Sequence, residues 1–246
     1  MATIKLAHKT ALVTGSARRV GKAIALELAR CGVNMVIHDR TLSSELEKTV
    51  QEVEALGVQA LGIAADLTKP DEIESMFQSI KQVYGTLDIL VNSASIFKPG
   101  SILELSLKDW QLSLDVDVTA AFLCSQRAAH LMQSSAGSCI INIIDISALK
   151  PWKEYPEHSV AKAALKMLTE VLAVSLAPHI RANAVVPGPV LRDDNTSPEK
   201  WKEMGERLPL KRTGDPSDVA QAIVFLATQP YITGSTLYVN GGEHLL

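Results

Sequence analysis

Thr10 to Gly21 reads TALVTGSARRVG. An apolar run, Ala11-Leu12-Val13, ends at Thr14 and meets Gly15; from Val20 onward Ile24, Leu28 and Cys31 recur at helical spacing. The stretch is therefore a strand, a turn and the start of a helix. Gly32 closes that helix, and Val33-Asn34-Met35-Val36-Ile37 is a second apolar run. Leu46, Val50 and Val53 then mark a second helix from about Ser43 to Leu56. One βαβ unit is complete at this point and sets the alternation that follows.

The rhythm continues with a strand over Val58 to Ala64, a helix over Pro70 to Tyr84 and a strand over Leu87 to Asn92. A long helical stretch around Trp110 to Met132 leads to a strand over Ser138 to Ile144. A helix from about Glu157 to Leu176, a strand over Ile180 to Val186 and a last strand at Leu237-Tyr238-Val239 complete it. Near-continuous apolar strands imply burial on both faces of a parallel sheet. No linker or repeat interrupts them, so residues 1–246 read as one α/β domain, doubly wound in the Rossmann manner, with about seven strands and helices on both faces. Residues 189–215 break the alternation: charged, punctuated by Pro189, Pro198 and Pro209, and placed after a strand end, they are a candidate lid over a ligand crevice.

Composition narrows the function. Of 246 residues, 47% are hydrophobic, enough for a large core, yet no apolar run approaches the ~20 residues of a membrane span. Met1-Ala2-Thr3-Ile4-Lys5-Leu6 lacks the features of a secretory signal, so a cytoplasmic location is expected. Cys31, Cys124 and Cys139 are scattered in apolar settings and read as buried free thiols. A net charge of -3, with no basic stripe, gives no reason to expect nucleic acid and leaves a small molecule as partner. His8, His130, His179 and His244 lack metal-ligand spacing and read as surface residues, His38 ends the second strand, and no metal is expected.

The turn Gly15-Ser16-Ala17-Arg18-Arg19-Val20-Gly21 lies where a dinucleotide pyrophosphate would meet backbone N–H groups and the positive end of a helix dipole. Its position carries the reading, because only Gly15 and Gly21 remain of the glycines usual there, and Arg19 takes the middle place. Arg18 and Arg19, with Arg40 and Thr41 after the second strand, favour a ribose 2′-phosphate and hence NADP(H). Asp39 opposes them, since a strand-end carboxylate accepts from ribose hydroxyls and repels phosphate, and it keeps NAD(H) open.

A second polar cluster spans Asp145 to Lys162. Asp145 ends an apolar strand, while His158 and Lys162 sit one turn apart on a helix. Ionisable groups gathered at a strand's carboxyl end are a common property of active sites, although an i,i+4 pair can equally be a solvated helix face.

Together these motifs resemble the short-chain dehydrogenase/reductase family along essentially the whole chain. The resemblance rests on the turn Thr14 to Gly21, Asp66-Leu67, Asn92-Ser93-Ala94-Ser95, the Lys162 helix, Pro187-Gly188, Gly234 and Asn240-Gly241-Gly242. Within the family the chain looks most like the pteridine reductases: Arg19 replaces the middle glycine, Phe97 follows Asn92 to Ile96, and Asp145 stands where most members place a catalytic serine. The resemblance implies that Arg19 reaches cofactor phosphates and substrate, Ser95 lies near both, and Phe97 sandwiches a pterin ring against the nicotinamide. It also implies that Asp66 and Leu67 flank the adenine, that Asn92, Ser93 and Ala94 border the cofactor, and that Lys162 holds the nicotinamide ribose. Pro187, Gly188 and Val190 would lie beside the carboxamide, and the assembly would be a homotetramer built partly on the two long helices.

Two positions depart from the family pattern. The proton-donating tyrosine, four residues before the lysine, is replaced by His158; Tyr155 is nearby but out of phase. Asp117 occupies the place of an asparagine that kinks a helix and positions a water. An imidazolium can donate a proton, and Asp145 and Asp117 would favour that form while Lys162 would oppose it. The expectation is an NAD(P)H-dependent reductase of a pterin or folate-like ring, with His158 or Asp145 supplying the proton. A short-chain enzyme for another carbonyl or alcohol, or a dinucleotide-binding protein that has lost turnover, are the alternatives.

Overall fold

A computed structural model describes residues 3–132 and 137–246. Seven strands form one sheet: β1 (Thr10–Val13), β2 (Asn34–Asp39), β3 (Ala60–Ala64), β4 (Ile89–Asn92), β5 (Ser138–Ile143), β6 (Ile180–Pro187) and β7 (Thr236–Val239). Their order is β3-β2-β1-β4-β5-β6-β7 and every neighbouring pair is parallel. The order reverses between β1 and β4, which opens a crevice at the carboxyl ends of those strands.

The apolar strands serve two cores by alternation. Ala11 and Val13, Met35 and Ile37, Ile89 and Val91, and Cys139 and Ile141 face one side, where they meet α1 (Arg19–Arg30), α2 (Ser44–Glu54) and α8 (Pro216–Thr228). Leu12, Val36, Leu90 and Ile140 face the other, against α3 (Pro70–Tyr84), α5 (Ala120–Met132) and the end of α6 (Pro156–Ser175). Each fully buried Leu, Ile or Met of these layers contributes roughly 1.5–3 kcal/mol before chain entropy is set against it.

Helix ends carry local signals. Ser43 accepts from Leu46 N–H at 3.1 Å to start α2, and Pro70 opens α3, which ends on Gly85 at φ 74°. The helical stretch read around Trp110 to Met132 is α4 (Leu107–Leu114), a π-helical turn over Asp115–Thr119 and α5. That turn tips Asp117 inward, where it is buried. The 189–215 segment contains a further helix, α7 (Pro198–Arg207), capped by Ser197, and the Gly214 N–H closes its base on the Pro189 carbonyl at 3.0 Å. Helix α8 was not foreseen, although Asp215-Pro216-Ser217-Asp218 forms a capping box that announces it.

Two smaller expectations change. Cys31 is only half-buried, whereas Cys124 and Cys139 are buried, and burial pushes the Cys124 thiol up to about 12. His244 is a partner of the fold, stacked on Tyr238 at 4.1 Å, while His8, His130 and His179 are exposed. Among the described residues no helix is long and apolar enough to cross a membrane, and no cluster of His, Cys, Asp and Glu fit for a metal occurs.

Candidate active site

A cleft of about 670 Å³ runs along the carboxyl ends of the central strands. Of the residues singled out from sequence, Gly15, Arg18, Arg19, Val20, Gly21, Asp39, Arg40, Asp66, Leu67, Ser93 and Ala94 line it at the β1–β2–β4 side. Ser95, Phe97, Asp145, His158, Lys162 and Pro187 line its other half.

Five others do not line it. Thr41 is solvent-exposed beyond its rim. Asn92 is buried below the floor, where its amide donates to Asn142 Oδ1 at 2.8 Å and Ser125 Oγ at 3.2 Å. Gly188 and Val190 face a neighbouring cavity, because the Gly188 N–H is paired with the Val239 carbonyl and the chain turns away there. Asp117 sits behind Lys162, in contact with the small pocket under the cleft.

The turn between β1 and α1 suits a polyanion. Arg18, at the helix N-cap, makes no side-chain cap bond, and the first turn of α1 holds no acidic residue, so its N–H groups stay open. A Cβ on Gly21 would lie 2.4 Å from the Gly15 carbonyl oxygen, so only glycine lets the turn fold this tightly. His38, unassigned from sequence, braces it: Nδ1 accepts from Gly15 N–H at 3.0 Å and Nε2 donates to the Ala65 carbonyl at 3.0 Å. Burial holds the His38 pKa below its usual value, against smaller raising effects of Ala65 and Asp39, and so favours the neutral ring these two bonds need. Thr14 Oγ1 accepts from Ser93 and Ala94 N–H at 2.9 and 3.0 Å, tying β1 to the β4 loop.

Arg19 has φ 57°, in the left-handed region that costs a non-glycine residue about 1–2 kcal/mol. Strain of this kind concentrates at functional sites. Arg19→Gly is therefore expected to act with opposite signs on folding and binding. Relief of strain, offset by the ~0.5–1 kcal/mol of extra chain entropy, leaves the apo melting temperature unchanged or up by about 3 °C. Loss of a charge-assisted contact to phosphate weakens NADPH about 10- to 100-fold by titration calorimetry. A variant that melts lower and binds as the parent does would remove the assignment of Arg19.

Asp39 turns toward its own loop, accepting from Arg40 N–H at 2.8 Å and from Ser43 Oγ at 2.7 Å. Arg40 is exposed at the rim. In the 189–215 segment, Asp193 is held below the usual carboxylate range chiefly by the Thr196 hydroxyl, with the Arg19 charge a smaller cause, and Asp193 in turn acts on Tyr155.

Two pairs of ionisable groups occupy the inner end. His158 Nε2 lies 2.5 Å from Asp145 Oδ2, and His158 Nδ1 lies 3.1 Å from the Ile96 carbonyl oxygen. Asp145 Oδ1 accepts from Ser147 N–H at 2.8 Å and from the Ser147 hydroxyl. Burial opposes the charged form of Asp145, but the His158 bond, the Lys162 charge and Ser147 outweigh it and hold the carboxyl below its usual range. The second pair is Lys162 Nζ with Asp117 Oδ1 at 2.8 Å; Lys162 also donates to the Ile143 carbonyl at 3.1 Å. Neither Asp117 oxygen receives a well-directed hydrogen bond from the described residues, so this contact is mainly coulombic.

Phe97 is 55% exposed and belongs to an aromatic cluster. Tyr155 stacks on it at 4.0 Å and 12°, His158 meets it edge-on at 5.1 Å, and Trp152 does so at 5.9 Å. One Phe97 face is thus covered from within the chain by Tyr155, the tyrosine that lies out of phase with Lys162 in the sequence.

Comparison with known proteins bears on this geometry. A family model described as enoyl-(acyl carrier protein) reductase matches residues 15–244. A 3-oxoacyl-[acyl-carrier-protein] reductase FabG from Staphylococcus epidermidis is 33% identical over 243 residues, covering 97% of this chain and all of the relative. Among solved structures, FolM alternative dihydrofolate reductase 1 from Brucella canis, complexed with NADP, superposes with a TM-score of 0.92 at 28% identity, over 98% of this chain and 96% of that one. L-sorbose reductase from Gluconobacter frateurii, complexed with NADPH and L-sorbose, does so with a TM-score of 0.91 at 29% identity, over 97% and 98%. With a cleft at the strand-order reversal and relatives matched end to end, the chain belongs to the short-chain dehydrogenase/reductase family of NAD(P)-dependent oxidoreductases.

Proposed function

We propose that the protein is an NADPH-dependent reductase of a flat, pterin- or folate-like heteroaromatic ring. The observation that carries this reading is the pairing of an exposed aromatic wall, Phe97, with a carboxylate, Asp145, across the inner end of the cleft. A planar ring set against Phe97 presents its in-plane nitrogen to a proton-bearing group, and catalysis follows from orientation. When bound, the dihydronicotinamide supplies the hydride. Arg18, Arg19 and the open N-terminus of α1 hold its phosphates, Asp66 and Leu67 border the adenine, and Lys162 takes the nicotinamide ribose. Residues 189–215 act as the lid, with Asp193 near Arg19. The test is NADPH oxidation in the presence of dihydrobiopterin or dihydrofolate; absence of turnover on both removes the pterin assignment.

NADPH is preferred over NADH because both Asp39 oxygens are engaged within their own loop and not held out for ribose hydroxyls, while Arg40 stands exposed at the rim. Arg40→Ala is expected to weaken NADPH about 10- to 100-fold while leaving NADH within twofold, as measured by titration calorimetry. Equal losses for the two cofactors would return Arg40 to the solvated surface.

A second reading has its own support. Because Tyr155 occupies one face of Phe97, the aromatic cluster can serve as a plain apolar wall beside another carbonyl substrate, such as the 3-oxoacyl group named for the staphylococcal relative. For assembly we propose a homotetramer. Ala120, Ala121 and Leu165 face their own sheet, but Val160, Met167, Val171 and Val174 form an exposed apolar stripe on α6, beside Phe122 on α5, that a second copy would cover. The three free thiols suit a reducing, cytoplasmic setting.

A further inference from the structure

We infer that His158 is a positioning residue, held as an imidazolium between two acceptors, and that it recharges Asp145, the group that hands the proton to substrate. This rests on the reductase reading above and assigns the proton that reading leaves to either residue.

Both ring nitrogens of His158 face atoms that have lone pairs and no hydrogen of their own. Nδ1 is 3.1 Å from the Ile96 carbonyl oxygen and Nε2 is 2.5 Å from Asp145 Oδ2. A neutral imidazole carries one N–H and one lone pair, so it satisfies one acceptor and turns its lone pair on the other. At a site only 2% exposed, water cannot relieve that mismatch, whereas an imidazolium satisfies both. Phe97 meets the ring edge-on at 5.1 Å and Trp152 lies nearly parallel to it at 6.3 Å.

The surrounding charges agree. Lys162, one turn along α6, is countered by Asp117 at 2.8 Å from the π-helical turn. Glu243, from the C-terminal turn, adds a carboxyl whose pKa is raised first by burial and then by Asp145, with Lys150 opposing. Tyr155 stacks on Phe97, which meets His158 edge-on, and Asp193 acts on that tyrosine. The balance around His158 is thus set by Asp145, and the pair as a whole holds one transferable proton.

With both nitrogens committed, His158 has no N–H left to point at a substrate. Asp145, whose side chain is 20% exposed against 3% for His158, does face the cleft. The Nε2–H bond breaks and an O–H bond forms on Asp145 Oδ2; that hydroxyl rotates into the cleft; its proton passes to the substrate nitrogen or oxygen as the adjacent carbon accepts the hydride. A neutral imidazole remains, its Nδ1–H still on Ile96, and the proton is replaced from solvent through Asp145 after product leaves.

Nitrogen-15 NMR of the histidine rings tests the first half without substrate. The signal lost in His158→Gln identifies the residue; near pH 7 both of its nitrogens should be protonated in the parent, and one should become bare in Asp145→Asn. Glutamine can keep a hydrogen bond to Asp145 but cannot give up a proton. His158→Gln should therefore bind NADPH as the parent does by fluorescence titration and oxidise it about 10²–10⁴-fold more slowly with dihydropterin or with any carbonyl the parent accepts. A bare ring nitrogen in the parent near pH 7, or His158→Gln turnover within twofold of the parent, overturns the inference. A doubly protonated ring in a parent that turns over no pterin or folate overturns only the substrate assignment.

Discussion

Lys162→Met is expected to lower folding stability by about 3–5 kcal/mol, because it leaves Asp117 as a buried carboxylate with no counter-charge. The two side chains are 4% and 0% exposed and 2.8 Å apart. At an effective dielectric of about 20, their gross attraction is roughly 6 kcal/mol. Desolvation consumes most of that, so the pair adds little net stability while either half alone is costly. The prediction is therefore asymmetric. Lys162→Met should shift the urea midpoint strongly at constant slope, and Asp117→Asn combined with Lys162→Met should recover at least half of the loss. Additive losses in the double variant would mean that the contact, which lacks a well-directed hydrogen bond, is not the interaction that matters. NADPH affinity should fall in both variants, since each removes the ammonium proposed to hold the nicotinamide ribose.

The strands were legible because burial on two faces demands near-continuous apolar residues. Leu12 and Val13, pointing into opposite cores, show why that pattern is parallel sheet and not alternation. The turn at Gly15 to Gly21 was legible for a related reason: where an added Cβ would lie 2.4 Å from a carbonyl oxygen, only glycine fits. Helix α8 was missed although its capping box was present, because the charged stretch before it drew the reading toward a loop. His38 was placed on the strand end, yet its use of both ring nitrogens to brace the turn is tertiary and leaves no local trace. The site was legible as a list of residues and not as pairings. Spacing put His158 and Lys162 on one helix, and only the folded chain shows that they serve different carboxylates, Asp145 and Asp117.

That division of partners makes Asp145→Asn the most direct probe of the chemistry. The amide keeps the shape of the carboxyl: its oxygen can still accept from Ser147 and its N–H can donate to the bare Nε2 of a neutral His158, so the loop after β5 should hold. What it cannot do is carry a proton. Reductase turnover should fall about 10²–10⁴-fold with NADPH affinity unchanged, because general-acid transfer is removed and hydride orientation is not. Stability should respond to pH in a defined direction. Asp145 has a depressed pKa in the folded state, so its contribution is complete above the unfolded carboxyl value near pH 4 and is lost as pH falls through the lower folded value. Asp145→Asn should therefore be less stable than the parent at neutral pH and converge on it in acid, as read from melting temperatures across that range. Parental turnover in Asp145→Asn would move the proton source elsewhere, and Tyr155, stacked on Phe97, is the phenol to examine next.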